Sequence, residues 1–184
     1  MMKRRSSLSD EALLHVKGTP VLVSACLLGV RCRYDGRHNL CPDLTTILAS
    51  VHIIPFCPEQ LGGLPTPRPP ANIIHGDGWD VLDGVGQVVD AEGRDFTGAF
   101  RKGAYEALRL ARVLGAYLAV VKDRSPSCGL ITPHCENEKG SGPGVTAALF
   151  GREGIRLLEQ GRGVPFFRNR FLKLLGTDHF RDHP

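Results

Sequence analysis

An α/β fold with a mainly parallel sheet is predicted for this chain by three observations. Three short apolar runs, Pro20-Val21-Leu22-Val23-Ser24-Ala25, Val51-His52-Ile53-Ile54-Pro55-Phe56 and Ala116-Tyr117-Leu118-Ala119-Val120-Val121-Lys122, are bounded by Gly and Pro. Such runs, rich in Val, Ile and Leu without strict alternation, are the signature of strands buried on both faces. Helical periodicity between the runs supplies the crossovers that parallel strands need. Finally, each run leads into a cysteine at its carboxyl end, at Cys26, Cys57 and Cys128. In open parallel sheets that edge is where ligands bind. Neighbouring strands lie about 4.8 Å apart, so three tip residues can converge on one site.

The elements follow in order. Residues 9–17 read as a short helix with Ser7 or Ser9 as N-cap and acids in the first turn, stopped by Gly18-Thr19-Pro20. After Cys26 the chain is irregular and polar through Asn39, with a turn signal at Asp35-Gly36. Pro42 sits near the first position of a helix expected to run to Ser50. Prolines at 58, 65, 67, 69 and 70 exclude a long helix or a central strand and imply a shaped loop over 57–75. Residues 73–74, 79–82 and 85–89 are expected to form short hairpin strands. Residues 96–114 carry the strongest helical periodicity and end at Gly115. The small residues 145–150 form a further helix, residues 155–158 a strand or a helical turn, and residues 166–175 a short amphipathic helix.

One sizeable core fits 184 residues, and a single domain over 1–184 is expected, with a core at about 20–158 between an N-terminal extension (1–19) and a basic tail (159–184). A hydrophobic fraction of 42% and a net charge of +4 describe an ordinary globular composition. Much of the positive charge falls in Lys3-Arg4-Arg5 and in 162–173, which reads first as solvated tail and second as a contact for an anionic partner. No apolar run reaches the roughly 18 residues of a membrane span, and residues 6–11 are polar where a signal peptide is apolar. A cytosolic location is therefore expected, where six cysteines serve as ligands, catalytic thiols or packing residues rather than as a disulfide framework.

The chemistry centres on Cys26, Cys57 and Cys128. No Cys-x-x-Cys is present, so the usual structural zinc spacing is missing. Three thiolates equivalent in position along three strands point instead to a metal or cluster assembled from distant segments; the competing reading is buried apolar cysteine. Cys32, Cys41 and Cys135, in polar loops, read as structural or incidental. Glu59, two residues after Cys57, is expected to point into the site. Beside anionic thiolates its pKa should rise, which suits a proton donor or base. Tyr34 and Asp35 are candidate polar partners, and Ser125 and Ser127 flank Cys128. Gly140-Ser141-Gly142-Pro143-Gly144 before a helix can cradle a phosphate, although it lacks the Walker ending and a plain tight turn is the favoured reading.

Four spaced motifs resemble one family. They are Val23-Ser24-Ala25-Cys26-Leu27-Leu28-Gly29 with Arg33-Tyr34-Asp35-Gly36, then Pro55-Phe56-Cys57-Pro58-Glu59-Gln60-Leu61-Gly62-Gly63 with Leu64-Pro65-Thr66-Pro67-Arg68, Ser125-Pro126-Ser127-Cys128-Gly129, and Gly142-Pro143-Gly144-Val145-Thr146. Together, over about residues 20–158, they are similar to the thiouracil desulfurases. The resemblance implies a Rossmann-like three-layer fold and a [4Fe–4S] cluster held by Cys26, Cys57 and Cys128, with the fourth iron open to the sulfur of a thiolated uracil. It further implies non-redox hydrolysis of C=S to C=O. Glu59, or secondarily Asp35, then activates water, with Ser125 in a catalytic role and Tyr34, Ser127, Gly142 and Gly144 near the substrate. The substrate expected is a thiolated pyrimidine base or nucleotide, with tRNA less favoured. Two alternatives stand beside it: a zinc hydrolase using the same three cysteines, and a non-enzymatic metal module binding RNA through the basic tail.

Overall fold

The computed structural model describes residues 18–47 and 51–161. The helices expected at 9–17 and 166–175 lie outside this range.

The three cysteine-tipped runs are strands of one sheet: β1 (Pro20–Ser24), β2 (His52–Phe56) and β5 (Leu118–Lys122), joined by β6 (Arg156–Gln160) in the order β2-β1-β5-β6. Every pairing is parallel, with Ser24 opposite Phe56 and Leu22 opposite Ala119. Strand β1 is thus central, flanked by the other two cysteine-bearing strands. The sequence left 155–158 open between strand and helix; it is the edge strand.

Side chains that alternate along β1 and β5 feed two separate cores, as the period of two requires. Leu22, Ala119 and Val121 pack under α4 (Thr97–Leu114), α5 (Val145–Arg152) and α3 (Gly78–Asp83). Val21, Val23, Leu118 and Val120 pack on the other face with Leu44 of α1 (Pro42–Ile47). The result is three layers. Helix α4 is the best-defined crossover. Phe100, Ala104, Ala107, Leu108 and Ala111 form its buried stripe, and Gly115, at φ 65°, closes it with N–H bonds back to Ala111 and Arg112.

One expectation fails here. Residues 79–82 are not a strand but part of helix α3, and only β3 (Ala71–Ile74) and β4 (Gln87–Asp90) pair, antiparallel. The cause is a capping box: Asp77 accepts from the Trp79 N–H at 2.9 Å, and the Asp80 carboxylate accepts from the Asp77 N–H at 2.8 Å. That reciprocal pair outweighs the β propensity of Trp79 and Val81. A short helix, α2 (Pro58–Leu61), also interrupts the proline-rich loop at its start. No described helix is long and apolar enough to cross a membrane.

Candidate active site at the carboxyl edge of the sheet

Loops leaving β1, β2 and β5 enclose a cavity of about 440 Å³ lined by Cys26, Cys57 and Cys128, together with Cys32. Cys26 sits in the single 3-10 turn (Ala25–Leu28) that follows β1, its carbonyl accepting the Asn39 N–H at 2.8 Å. Cys57 is the residue before α2, where Pro58 begins the helical turn. Cys128 is set by the 125–129 turn. Ser125 Oγ accepts from the N–H groups of Ser127 and Cys128 at 3.2 and 3.1 Å, and the Gly129 N–H closes on the Ser125 carbonyl at 2.9 Å.

The thiols constrain one another electrostatically. Burial pushes the Cys128 thiol up to about 12, with negative charge at Cys57 and Glu59 adding to it; hydroxyls of Ser24 and Ser127 work the other way. Cys57 is raised well beyond the ordinary thiol range, first by its hydrogen bond with Cys32 and then by burial. Cys32 is raised to about 11, chiefly by hydrogen bonding to Cys26 and despite an opposing bond to Cys57. These surroundings favour the neutral thiol at Cys32, Cys57 and Cys128. A bound cationic centre reverses that balance, because metal ligation requires the thiolate. Among the described residues no group of three or more His, Cys, Asp or Glu converges on a single metal-ion position.

Glu59 lines the same cavity, as its spacing from Cys57 predicts. Its partner was not legible: Arg68, from the proline-rich loop, binds Glu59 Oε2 through Nε at 2.6 Å and Nη2 at 2.5 Å. Tyr34 and Ser125 also line the cavity. With Oγ accepting two N–H groups, Ser125 keeps its own hydrogen for a third partner.

Several candidates are placed elsewhere. Asp35 is outside the cavity lining and engaged by Arg33, Nε to Oδ1 at 3.0 Å and Nη2 to Oδ2 at 2.9 Å, which holds its carboxyl below the usual carboxylate range. Ser127 is fully buried behind the wall, its hydroxyl 3.0 Å from Thr146 Oγ1. Gly142 and Gly144 are not in the lining. Gly142 bridges to Thr132, its N–H donating at 3.2 Å and its carbonyl accepting at 2.7 Å. Gly144 packs so closely that a Cβ there would meet the Ser127 backbone at 2.6 Å. The N–H groups of Gly144, Val145 and Thr146 are satisfied by the carbonyls of Gly129, Pro126 and Ser127. The glycine turn therefore clamps the Cys128 loop and offers no phosphate cradle.

Sequence reasoning missed several lining residues. Cys32 was assigned an incidental role because it stands in a polar loop, but that loop folds back over Cys26. Ser24 ends β1 on the cavity floor, its Oγ accepting the Lys122 N–H at 3.1 Å. Lys122, Arg124 and His134 also line the cavity, as do Phe56, Phe96 and Phe100. Burial and the charges of Arg124 and Lys122 lower the His134 pKa.

Comparison with known proteins identifies the family. Residues 21–161 match the family model for 2-thiouracil desulfurase. The uncharacterized protein YbbK of Bacillus subtilis (strain 168) is 39% identical over 143 residues, covering 76% of this chain and 95% of that protein. A solved structure of the [4Fe–4S]-dependent thiouracil desulfidase TudS superposes with a TM-score of 0.63 at 38% identity, over 77% of this chain and 91% of that one. The chain belongs to the 2-thiouracil desulfurase family.

Proposed function

We propose that this protein removes sulfur from a thiolated pyrimidine by hydrolysis, on a [4Fe–4S] cluster held by Cys26, Cys57 and Cys128. The observation that carries the reading is the meeting of three strand-tip cysteines and one carboxylate in a single cavity. The donor set fits the group: soft thiolates select iron–sulfur, zinc or copper(I) centres. The thiols of Cys57 and Cys128, both held against ionisation, also call for a cationic centre to ionise them. Family membership and the TudS likeness favour the iron–sulfur choice over zinc.

When bound, the cluster supplies a thiophilic Lewis acid for the thiocarbonyl sulfur. The remaining tasks fall to the chain. Glu59, anchored through Oε2, keeps Oε1 for the water that attacks the ring carbon and takes one proton there. The carbon–sulfur bond then breaks, the carbonyl forms and the sulfur leaves as hydrosulfide with the second proton. Ser125 can donate its hydroxyl hydrogen to the substrate. Phe56, Phe96 and Phe100 give the pyrimidine ring an apolar wall that excludes bulk water. Lys122, Arg124 and His134 lie where an anionic substituent can be met, so we favour a thiouridine nucleotide over the free base.

The test is anaerobic reconstitution with iron and sulfide, followed by assay of sulfide release from 2-thiouracil and 4-thiouridine monophosphate. Cluster-dependent release in wild type that vanishes in Cys128→Ala is the expected result. Uptake of one zinc with no cluster would overturn the reading.

A further inference from the structure

Arg68 has no step in the reaction above, yet it is among the most firmly anchored side chains on the cavity wall. Its side chain is 4% exposed. Nε and Nη2 both bind Glu59 Oε2, Nη2 also donates to the Cys32 carbonyl at 3.1 Å, and Nη1 donates to the Pro65 carbonyl and Thr66 Oγ1 at 3.1 and 3.2 Å. Its backbone N–H donates to the Tyr34 carbonyl at 2.8 Å. One residue thus ties the proline-rich loop to both the Glu59 helix and the Cys32 loop.

The pattern of contacts is informative. An arginine that only neutralises a carboxylate binds it most strongly fork to fork, one donor to each oxygen. Arg33, itself on the cavity lining, does this to Asp35. Arg68 instead directs both donors to a single oxygen of Glu59, and among the described residues no contact falls on Oε1. Burying such a pair costs desolvation that close geometry must offset. A lysine cannot reproduce it, because its point charge lacks the planar set of donors.

We infer that Arg68 is the positioning residue of this site: it fixes Glu59 with Oε1 open to the cavity and braces the Cys32–Tyr34 backbone over the cluster cysteines. The inference rests on the proposed proton-transfer role of Glu59. It is tested with Arg68→Lys, Glu59→Gln and the double variant, each as the cluster-loaded full chain. Iron and sulfide content should match wild type in all three. In Arg68→Lys, kcat should fall on the order of 10²-fold, the cost of misplacing a reacting group, with KM within about twofold. In the Glu59→Gln background the same substitution should cause no further loss. Amide exchange over residues 32–36 should be faster in Arg68→Lys. Unchanged kcat in Arg68→Lys, losses that multiply in the double variant, or activity that falls only in proportion to cluster content would each overturn the positioning role. If loaded wild type releases no sulfide, the desulfurase reading itself fails. Amide exchange then decides the brace alone, and unchanged exchange in Arg68→Lys overturns it.

Discussion

Four cysteines of this chain line one cavity, whereas the other two, Cys41 and Cys135, are packed into opposite cores of the same small domain. All but Cys57 are buried, so burial does not separate the two groups. Position along the sheet does. Cys26, Cys57 and Cys128 follow the carboxyl ends of three adjacent parallel strands, and Cys32 is folded back onto the first of these tips. Cys135 instead donates its thiol to the Thr132 carbonyl at 3.3 Å, a satisfied packing residue. On the proposed reading, a cysteine in this fold acquires chemistry from the edge it occupies.

That contrast is broken most severely by exchanging the roles. Cys57→Ala should abolish cluster assembly and sulfide release together, read as iron content and visible absorbance. Cys135→Ala should keep both and cost roughly 1 kcal/mol of stability by thermal unfolding. Next in size is Glu59→Gln, expected to keep the cluster and lower kcat by about 10²- to 10⁴-fold, the usual worth of a general base. A retained kcat would move proton transfer to another group.

Smaller effects sharpen the division within the cavity itself. Lys122→Gln with Arg124→Gln should raise KM for 4-thiouridine monophosphate by roughly tenfold, about 1.4 kcal/mol, and leave 2-thiouracil nearly unchanged. Equal effects on both substrates would remove the case for a phosphate at these residues. The least dramatic prediction concerns pH. In the cluster-free protein the folded state holds Cys128 up to about 12 and Cys32 up to about 11, against 9.0 for an ordinary thiol. The folded state then binds protons more tightly than the unfolded one. The stability this contributes is complete below about pH 9 and disappears as pH rises toward 12. Thermal unfolding of the cluster-free protein should fall across that window, and cluster loading, which requires thiolates, should remove much of the dependence.

The parallel sheet, the long helix α4 and the three cysteine tips were legible because each is a local pattern: an apolar run, a helical period, a residue just past a strand. Glu59 was legible for the same reason, being two positions from Cys57. The strand expected at residues 79–82 failed where the Asp77–Asp80 capping box overrode strand propensity. Asp35, the second candidate base, lies outside the cavity lining with both oxygens held by Arg33, two residues away. The glycine turn offers no cradle because its N–H groups are already used, on Asn137, Thr132 and the Cys128 loop.

The sequence by itself determined the α/β class, the edge of the sheet that carries chemistry and the sulfur-rich character of the site, since short-range spacing suffices for all three. Only the tertiary structure decided that Cys32 joins the tip cysteines, that Arg68 grips one oxygen of Glu59, and that Lys122, Arg124 and His134 line the same cavity. These are contacts between loops separated in the chain, as Arg68 is from Cys32 by 36 residues. Loops carry no periodicity from which such meetings can be read. Their side chains meet because the parallel sheet delivers every one of these loops to the same edge.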